Sequence, residues 1–146
     1  GFNDFVFQNK AGALTMLYLS SRVSIFESFG APPKNYLAVA VGDYNGDKEP
    51  DILLKHTSTG ALAIMLDAAN PKQKVLYSVA NNVVIPKNHT ILAPGDYDGD
   101  GKDDVMTRNT TTTEITRFNV AFNTNNVVWS KTLLSGKVPM AYDNKF

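Results

Sequence analysis

The sequence contains no cysteine, which excludes disulfide bonds, thiol chemistry and zinc–thiolate sites. It also lacks an excess of charge of either sign, because 14 basic and 14 acidic residues give a formal net charge of +0. This balance gives no indication of a nucleic acid or an anionic membrane as partner. No apolar run approaches the roughly 18 residues that span a bilayer, so no membrane insertion is expected.

The sequence also has few histidines and no clear helical periodicity. His56 and His89 are the only imidazoles, and they fall in different segments with no ligand-type spacing. No nucleophile–base–acid set and no phosphate-binding glycine loop is present, so we expect a protein that is not an enzyme. No stretch combines a period of 3.6 residues with helix caps, which argues against a helical fold.

One acidic stretch dominates what is present. Counted from Asp96 as position 1, the carboxylates of Asp96, Asp98, Asp100 and Asp104 occupy positions 1, 3, 5 and 9, with a glycine at position 6. Alternate side chains of a tight loop point the same way, so these groups converge as a hard cation requires. Calcium fits best, since it accepts six to eight oxygen ligands in flexible geometry. The carbonyl of Lys102 at position 7 is a further candidate ligand.

A second copy of this spacing lies earlier in the chain. Asp43, Asn45, Asp47 and Asp51 hold the same positions 1, 3, 5 and 9. This copy departs from the other at position 6, where Lys48 replaces the glycine, and at position 3, where Asn45 replaces a carboxylate. Two copies of one spacing predict two related cation sites.

Three other interpretations of the acidic stretches are weaker. A helix–loop–helix calcium site needs a bidentate Glu at position 12, which is Leu54 in one copy and Thr107 in the other. A pair of glycosidase carboxylates is disfavoured because these acids lie in turns and are spaced for a cation. A polar turn that uses Asp and Gly for turn chemistry alone stays open.

The acidic stretches belong to a longer repeat. Asp4, Asp51 and Asp104 begin three similar apolar segments, 47 and then 53 residues apart. Periods near 40 to 50 with four short alternating segments each are typical of β-propeller blades. We therefore predict a single all-β domain, 1–146, of about three four-stranded antiparallel blades, one of them split between the termini. The predicted blades cover residues 36–82, 90–135, and 4–29 together with 137–142.

Three blades are fewer than the typical four to eight of a closed propeller. Two explanations follow from this count. Two chains complete a six-bladed ring as a homodimer, or the chain is a piece of a longer propeller. An open stack would expose sheet faces and edges, which favours the first explanation slightly.

The pattern G-D-Y-[ND]-G-D-x-x-x-D-[IV], present twice, resembles the calcium-binding FG-GAP/VCBS-type repeats of integrin-α-like β-propellers and of some secreted lectins. The resemblance covers nearly the whole chain and implies a calcium loop between the first two strands of a blade, with about two Ca²⁺ per chain. It also implies a secreted, extracellular setting. The implied ligands are Asp43, Asn45, Asp47, the Glu49 carbonyl, Asp51, Asp96, Asp98, Asp100, the Lys102 carbonyl and Asp104.

The resemblance is specific for fold and poor for function. The expected function is a non-enzymatic, calcium-binding module that recognises a glycan or a protein outside the cell. The alternative is a purely structural, calcium-stabilised domain or fragment of a larger secreted protein or enzyme.

Overall fold

A computed structural model describes residues 5–19, 24–30, 32–66, 75–78, 83–123 and 126–134 of this chain. Within these ranges the fold is all-β and contains no helix, as predicted. Strands form where β-branched, aromatic and other apolar residues alternate with polar ones, and turns carry Gly, Asn and Pro. The strands are β1 (Phe5–Gln8), β2 (Leu14–Leu19), β3 (Ser24–Gly30), β4 (Tyr36–Gly42), β5 (Asp51–His56), β6 (Leu62–Leu66), β7 (Val75–Ser78), β8 (His89–Ile91), β9 (Val105–Asn109), β10 (Ile115–Asn123) and β11 (Asn126–Leu134).

The strands form three antiparallel sheets in which each strand pairs with its neighbour along the chain. Sheet 1 contains β1–β3, sheet 2 contains β4–β7 and sheet 3 contains β8–β11. This up-and-down order is compatible with propeller blades. Residues 4, 20–23 and 137–142 of the predicted split blade lie outside the described residues, so the split blade and the closed propeller remain predictions.

Sheet 2 is apolar on both faces because a sheet packs against each of them. Leu53 and Ile64, paired across β5 and β6, belong to a buried cluster shared with sheet 3. Ile52 and Met65, the next pair along, belong to a second cluster shared with sheet 1. Successive side chains of a strand point to opposite faces, so this alternation stacks the three sheets face to face.

The stacking brings the two acidic stretches to the same end of the sheets. Residues 43–50 connect β4 to β5, and residues 92–104 connect β8 to β9. The two connections touch, since the Asp103 N–H donates to the Asp43 carbonyl at 2.7 Å. No helix long and apolar enough to cross a membrane is found in the described part of the chain.

Candidate metal centre

The two acidic loops, 43–51 and 96–104, have the same local conformation. In the first, Asp43 Oδ1 accepts the N–H groups of Gly46 and Asp47 at 2.7 and 3.1 Å, and Oδ2 accepts that of Lys48 at 2.9 Å. In the second, Asp96 accepts the corresponding three N–H groups at 2.7 to 3.0 Å. A position-1 aspartate folds each loop because its carboxylate satisfies several backbone donors at once.

Position 6 shows the structural cost of one of the differences between the two copies, the replacement of glycine by Lys48. Gly101 has φ +86°, a left-handed conformation that glycine adopts freely. Lys48 has φ +70° at the equivalent position, where its Cβ crowds the backbone. The first loop therefore keeps its fold against a local backbone strain.

Replacing Lys48 by glycine is expected to stabilise the metal-free chain by about 1 kcal/mol, because the left-handed strain disappears. The matched control is Lys48→Ala, which removes the same charged side chain but retains the strain. The test compares the urea denaturation midpoints of the two variants, both measured in the presence of chelator. Equal midpoints for the two variants would contradict a strained position 6.

Three carboxylates converge in the second loop. Oxygens of Asp96, Asp98 and Asp104 all lie within 4.8 Å of one another. Asp96 and Asp98 are exposed, whereas Asp104 is only 2% exposed. Hard oxygen donors at this separation are the set that a divalent cation such as calcium prefers, so this group could hold a metal ion.

The pKa of Asp104 shows how unfavourable ionisation of the whole triad is without a bound cation. Burial raises the pKa of the Asp104 carboxyl to about 6, and the nearby Asp98 carboxylate contributes to the increase. The Tyr97 N–H, which donates to Oδ2 at 3.2 Å, and the Arg117 guanidinium lower this pKa but do not cancel the effect. A bound cation would stabilise the ionised form of a buried carboxyl that resists ionisation in this way.

Asp100, another predicted ligand of this loop, is not part of the triad. Asp100 Oδ1 accepts the Lys102 N–H at 2.9 Å, and its Oδ2 lies 3.9 Å from Lys102 Nζ. Asp100 therefore engages Lys102 rather than the other three carboxylates. The carbonyl of Lys102 stays a predicted ligand.

The first loop brings its predicted ligands together differently. Asn45 Nδ2 donates to Asp47 Oδ2 at 2.6 Å, and Asp47 Oδ1 accepts the Glu49 N–H at 2.8 Å. Asp51 is fully buried and accepts the Tyr44 N–H at 2.9 Å, as Asp104 does in the other loop. Among the described residues no carboxylate triad forms here, because position 3 is an asparagine.

Sequence reasoning missed two side chains that reach the triad from β10. Arg117 NH2 lies 3.6 Å from Asp98 Oδ2, and Asn119 Nδ2 donates to the same oxygen. The signal was present as a departure from the repeat. The equivalent residues 53 positions earlier are the apolar Ile64 and Leu66, which pack in the core.

It also missed Asp103, which occupies the position of Pro50 in the first copy. Asp103 Oδ2 accepts the Asp43 N–H at 2.9 Å. Burial raises the pKa of the Asp103 carboxyl, the bond from Asp43 lowers it, and the carboxylates of Asp43 and Asp96 raise it. The two loops are therefore neighbours that share one acidic surface.

Comparison with known proteins gives a partial similarity. The chain is 37% identical over 82 residues to the human T-cell immunomodulatory protein and 35% identical over 82 residues to the rat protein of the same name. Each alignment covers 55% of this chain and 13% of the relative. No family model and no solved structure matches the chain.

Because the chain spans only 13% of the length of these relatives, the similarity relates it to a small part of a larger protein. The name T-cell immunomodulatory protein concerns the whole relative, so it assigns no activity to these residues. The site must therefore be interpreted from its own chemistry.

Proposed function

We propose that this chain is a calcium-stabilised structural segment, a stack of FG-GAP/VCBS-type propeller blades within a larger extracellular protein. The main support for this proposal is that oxygens of Asp96, Asp98 and Asp104 lie within 4.8 Å of one another. The loop that holds them has the same conformation as the loop 53 residues earlier. A bound cation supplies positive charge among carboxylates that otherwise repel one another. Asp96, Asp98 and Asp104 would hold it in one loop, and Asp43, Asn45, Asp47 and Asp51 in the other.

The local charges support a cation at the triad despite Arg117. The guanidinium reaches Asp98 at 3.6 Å and leaves three carboxylates with one positive group. The raised pKa of Asp104 indicates that this single positive charge does not compensate the buried acid. The donor set consists of hard oxygens alone, which suits calcium better than a softer transition metal.

Calorimetric titration of calcium into the chelator-treated chain tests this proposal. About two ions per chain are expected, and Asp98→Ala should remove one of them. A magnesium titration is the control, because magnesium demands a near-ideal octahedron and should bind more weakly. Absence of calcium binding up to about 10 mM, above the range of weak extracellular modules, would overturn the proposal.

The extracellular setting and the assembly are part of the same proposal. The free calcium concentration outside cells suits exposed acidic loops, and the name of the relatives, T-cell immunomodulatory protein, favours that setting. Light scattering coupled to size-exclusion chromatography distinguishes a ring of two chains from a segment of a longer propeller. A mass near twice 16.0 kDa supports a ring of two chains, and a mass near 16.0 kDa supports a segment of a longer propeller.

A second candidate function, binding of an anionic ligand, is favoured by two equivalent grooves at the opposite end of the sheets. The turn before β4 and the turn before β8 share the sequence Pro-Lys-Asn and the same backbone bond, Tyr36 N–H to Pro33 O at 3.1 Å and His89 N–H to Pro86 O at 3.0 Å. Each turn borders a groove beside the preceding sheet, of about 300 Å³ and 270 Å³ respectively.

Each groove carries two lysines and no lining carboxylate in the described part of the chain. Lys10 and Lys34 line the first, and Lys55 and Lys87 line the second. Nine of the fourteen acidic residues lie in the two loops at the other end, whereas the charged residues that line each groove in the described part of the chain are all lysines. Carboxylated or sulfated sugars match this charge.

Binding of a heparin-type sulfated oligosaccharide tests the grooves. The double variant Lys34→Glu/Lys87→Glu is expected to weaken it about tenfold or more, because two attractive pairs become repulsive. Lys48→Glu/Lys102→Glu, the same charge change at the acidic end, is the matched control. Equal affinity of the double variant and the parent would exclude the grooves as the binding site.

A further inference from the structure

Asp103 joins the two acidic loops across the boundary between sheets 2 and 3. Its N–H donates to the Asp43 carbonyl at 2.7 Å, and its Oδ2 accepts the Asp43 N–H at 2.9 Å. One residue of the second loop therefore holds both main-chain polar groups of Asp43. Since Asp43 is position 1 of the first loop, this clamp fixes the residue whose carboxylate folds that loop.

The surrounding backbone is packed closely enough to transmit a shift. A Cβ on Gly42 would lie 2.6 Å from Asp103 Oδ2, so only glycine permits this approach. A Cβ on Gly46 would lie 3.2 Å from Lys102 Cγ. The loops are thus in direct contact at the clamp and beside it.

The clamp is adjacent in the chain to the candidate metal ligands. Asp104, the next residue, contributes to the carboxylate triad of its own loop. Asp103 faces the neighbouring loop instead, as the alternation of successive side chains in extended backbone predicts. Fixing Asp104 at an ion therefore also restrains Asp103 and, through it, Asp43.

We propose that Asp103 is a positioning residue that couples the two loops, so that a cation bound at loop 96–104 raises the affinity of loop 43–51 for a second cation. This inference rests on the proposed calcium binding. The first ion orders the clamp, and the second then binds a loop that is already ordered. Linkage makes the effect reciprocal, so an ion in either loop raises the affinity of the other loop by the same factor.

Repulsion between the two ions opposes this coupling but does not reverse it. The two loops contain nine carboxylates and two lysines, a formal charge of −7. One bound calcium leaves a formal charge of −5, so a second divalent cation still enters a negative site. The coupling is positive because the shared ordering is expected to outweigh this repulsion.

Calcium calorimetry on the 146-residue chain measures the coupling. Asp98→Ala isolates loop 43–51, and Asp47→Ala isolates loop 96–104. The product of the two association constants of the parent is expected to exceed the product of the two isolated constants about tenfold. In an Asp103→Ala background, where only the repulsion between the two ions remains, the same ratio should fall to one or below.

Asp103→Asn is the matched control, because its carbonyl oxygen can still accept the Asp43 N–H while the charge is lost. The Asp103→Asn variant is expected to retain the coupling. If Asp103 acted only through its negative charge, this variant would lose the coupling as Asp103→Ala does. If Asp103→Ala does not fold by circular dichroism, Gly42→Ala replaces it, since its Cβ displaces the Asp103 carboxylate. Two ions that bind the parent independently would overturn the coupling and leave the calcium proposal standing. No ion bound at all would overturn both.

Discussion

Saturating calcium is expected to stabilise this chain by about 2.7 kcal/mol for each occupied loop when the free ion stands at about 100 times its dissociation constant. The reason is that the ion binds the folded loop and not the unfolded chain, in which the carboxylates are dispersed. For a domain of this size, this corresponds to a rise in the melting temperature of about 8 °C per loop. Thermal denaturation followed by circular dichroism, with calcium and then with chelator, is the measurement.

Each loop should contribute its own part of the calcium-induced rise in melting temperature. Asp98→Ala is expected to remove the increment of loop 96–104 and to retain that of loop 43–51, apart from any loss of coupling through Asp103. Magnesium at the same concentration is the control for general screening of the acidic end. A melting temperature that responds equally to magnesium and calcium would contradict specific sites and indicate screening instead.

Asp104→Asn is expected to separate stability from cation binding. In the absence of calcium the variant should be more stable than the parent at pH 8, by about 3 kcal/mol, because the parent must ionise a carboxyl buried to 2% exposure. Asparagine avoids this cost, and its carbonyl oxygen can still accept the Tyr97 N–H. The same variant should lose most of the stabilisation that calcium gives to loop 96–104.

The pH dependence fixes the sign of this effect. The folded-state pKa of Asp104, about 6, lies above its ordinary value of 3.8. The folded state therefore binds the proton more tightly, and the contribution of Asp104 is favourable below pH 4 and is lost as the pH rises through 6. Parent and Asp104→Asn should have equal stability near pH 3.5 and diverge above it.

Urea denaturation at several pH values, with chelator, measures this divergence. Asp100→Asn is the matched control in the same loop, because Asp100 is exposed and its substitution should change stability by less than about 0.5 kcal/mol. A parent that is as stable as Asp104→Asn at pH 8 would show that the buried carboxyl has no such cost.

Much of the fold was predictable because strand formation depends on local alternation. For example, β4 begins at Tyr36, where a blade was predicted to start, and β5 begins at Asp51, where a repeated apolar segment was predicted to start. The conformations of the two loops were predictable for the same reason. The bond from the Lys48 N–H to Asp43 Oδ2 spans five residues, so the short motif contains all the groups that fold it.

The composition of the candidate site was harder to predict. Spacing alone placed Asp100 with Asp96, Asp98 and Asp104, whereas the structure brings together only the last three of the described carboxylates. Periodicity shows which side chains share a side of a loop, but it does not give the rotamers that satisfy nearby backbone donors. Asp100 instead accepts the Lys102 N–H.

Burial of the repeated tyrosine depended on the order of the sheets. Tyr44 and Tyr97 hold position 2 of the same motif, yet Tyr44 is 0% exposed and Tyr97 is 40% exposed. Sheet 3 packs over Tyr44, and no described residue covers Tyr97 to the same extent. Both copies have tyrosine at position 2, so the difference in exposure comes from the sheet that packs beside each loop.

The amino-acid pattern alone was enough for the all-β class, the repeated loops and their acidic chemistry, because these depend on residues close in the chain. Only the folded arrangement brought Arg117 and Asn119 to Asp98, and Asp103 to Asp43. The latter contact joins residues 60 positions apart. Such contacts depend on how sheets stack and register against one another, and no local pattern of hydrogen bonds or hydrophobicity specifies that packing.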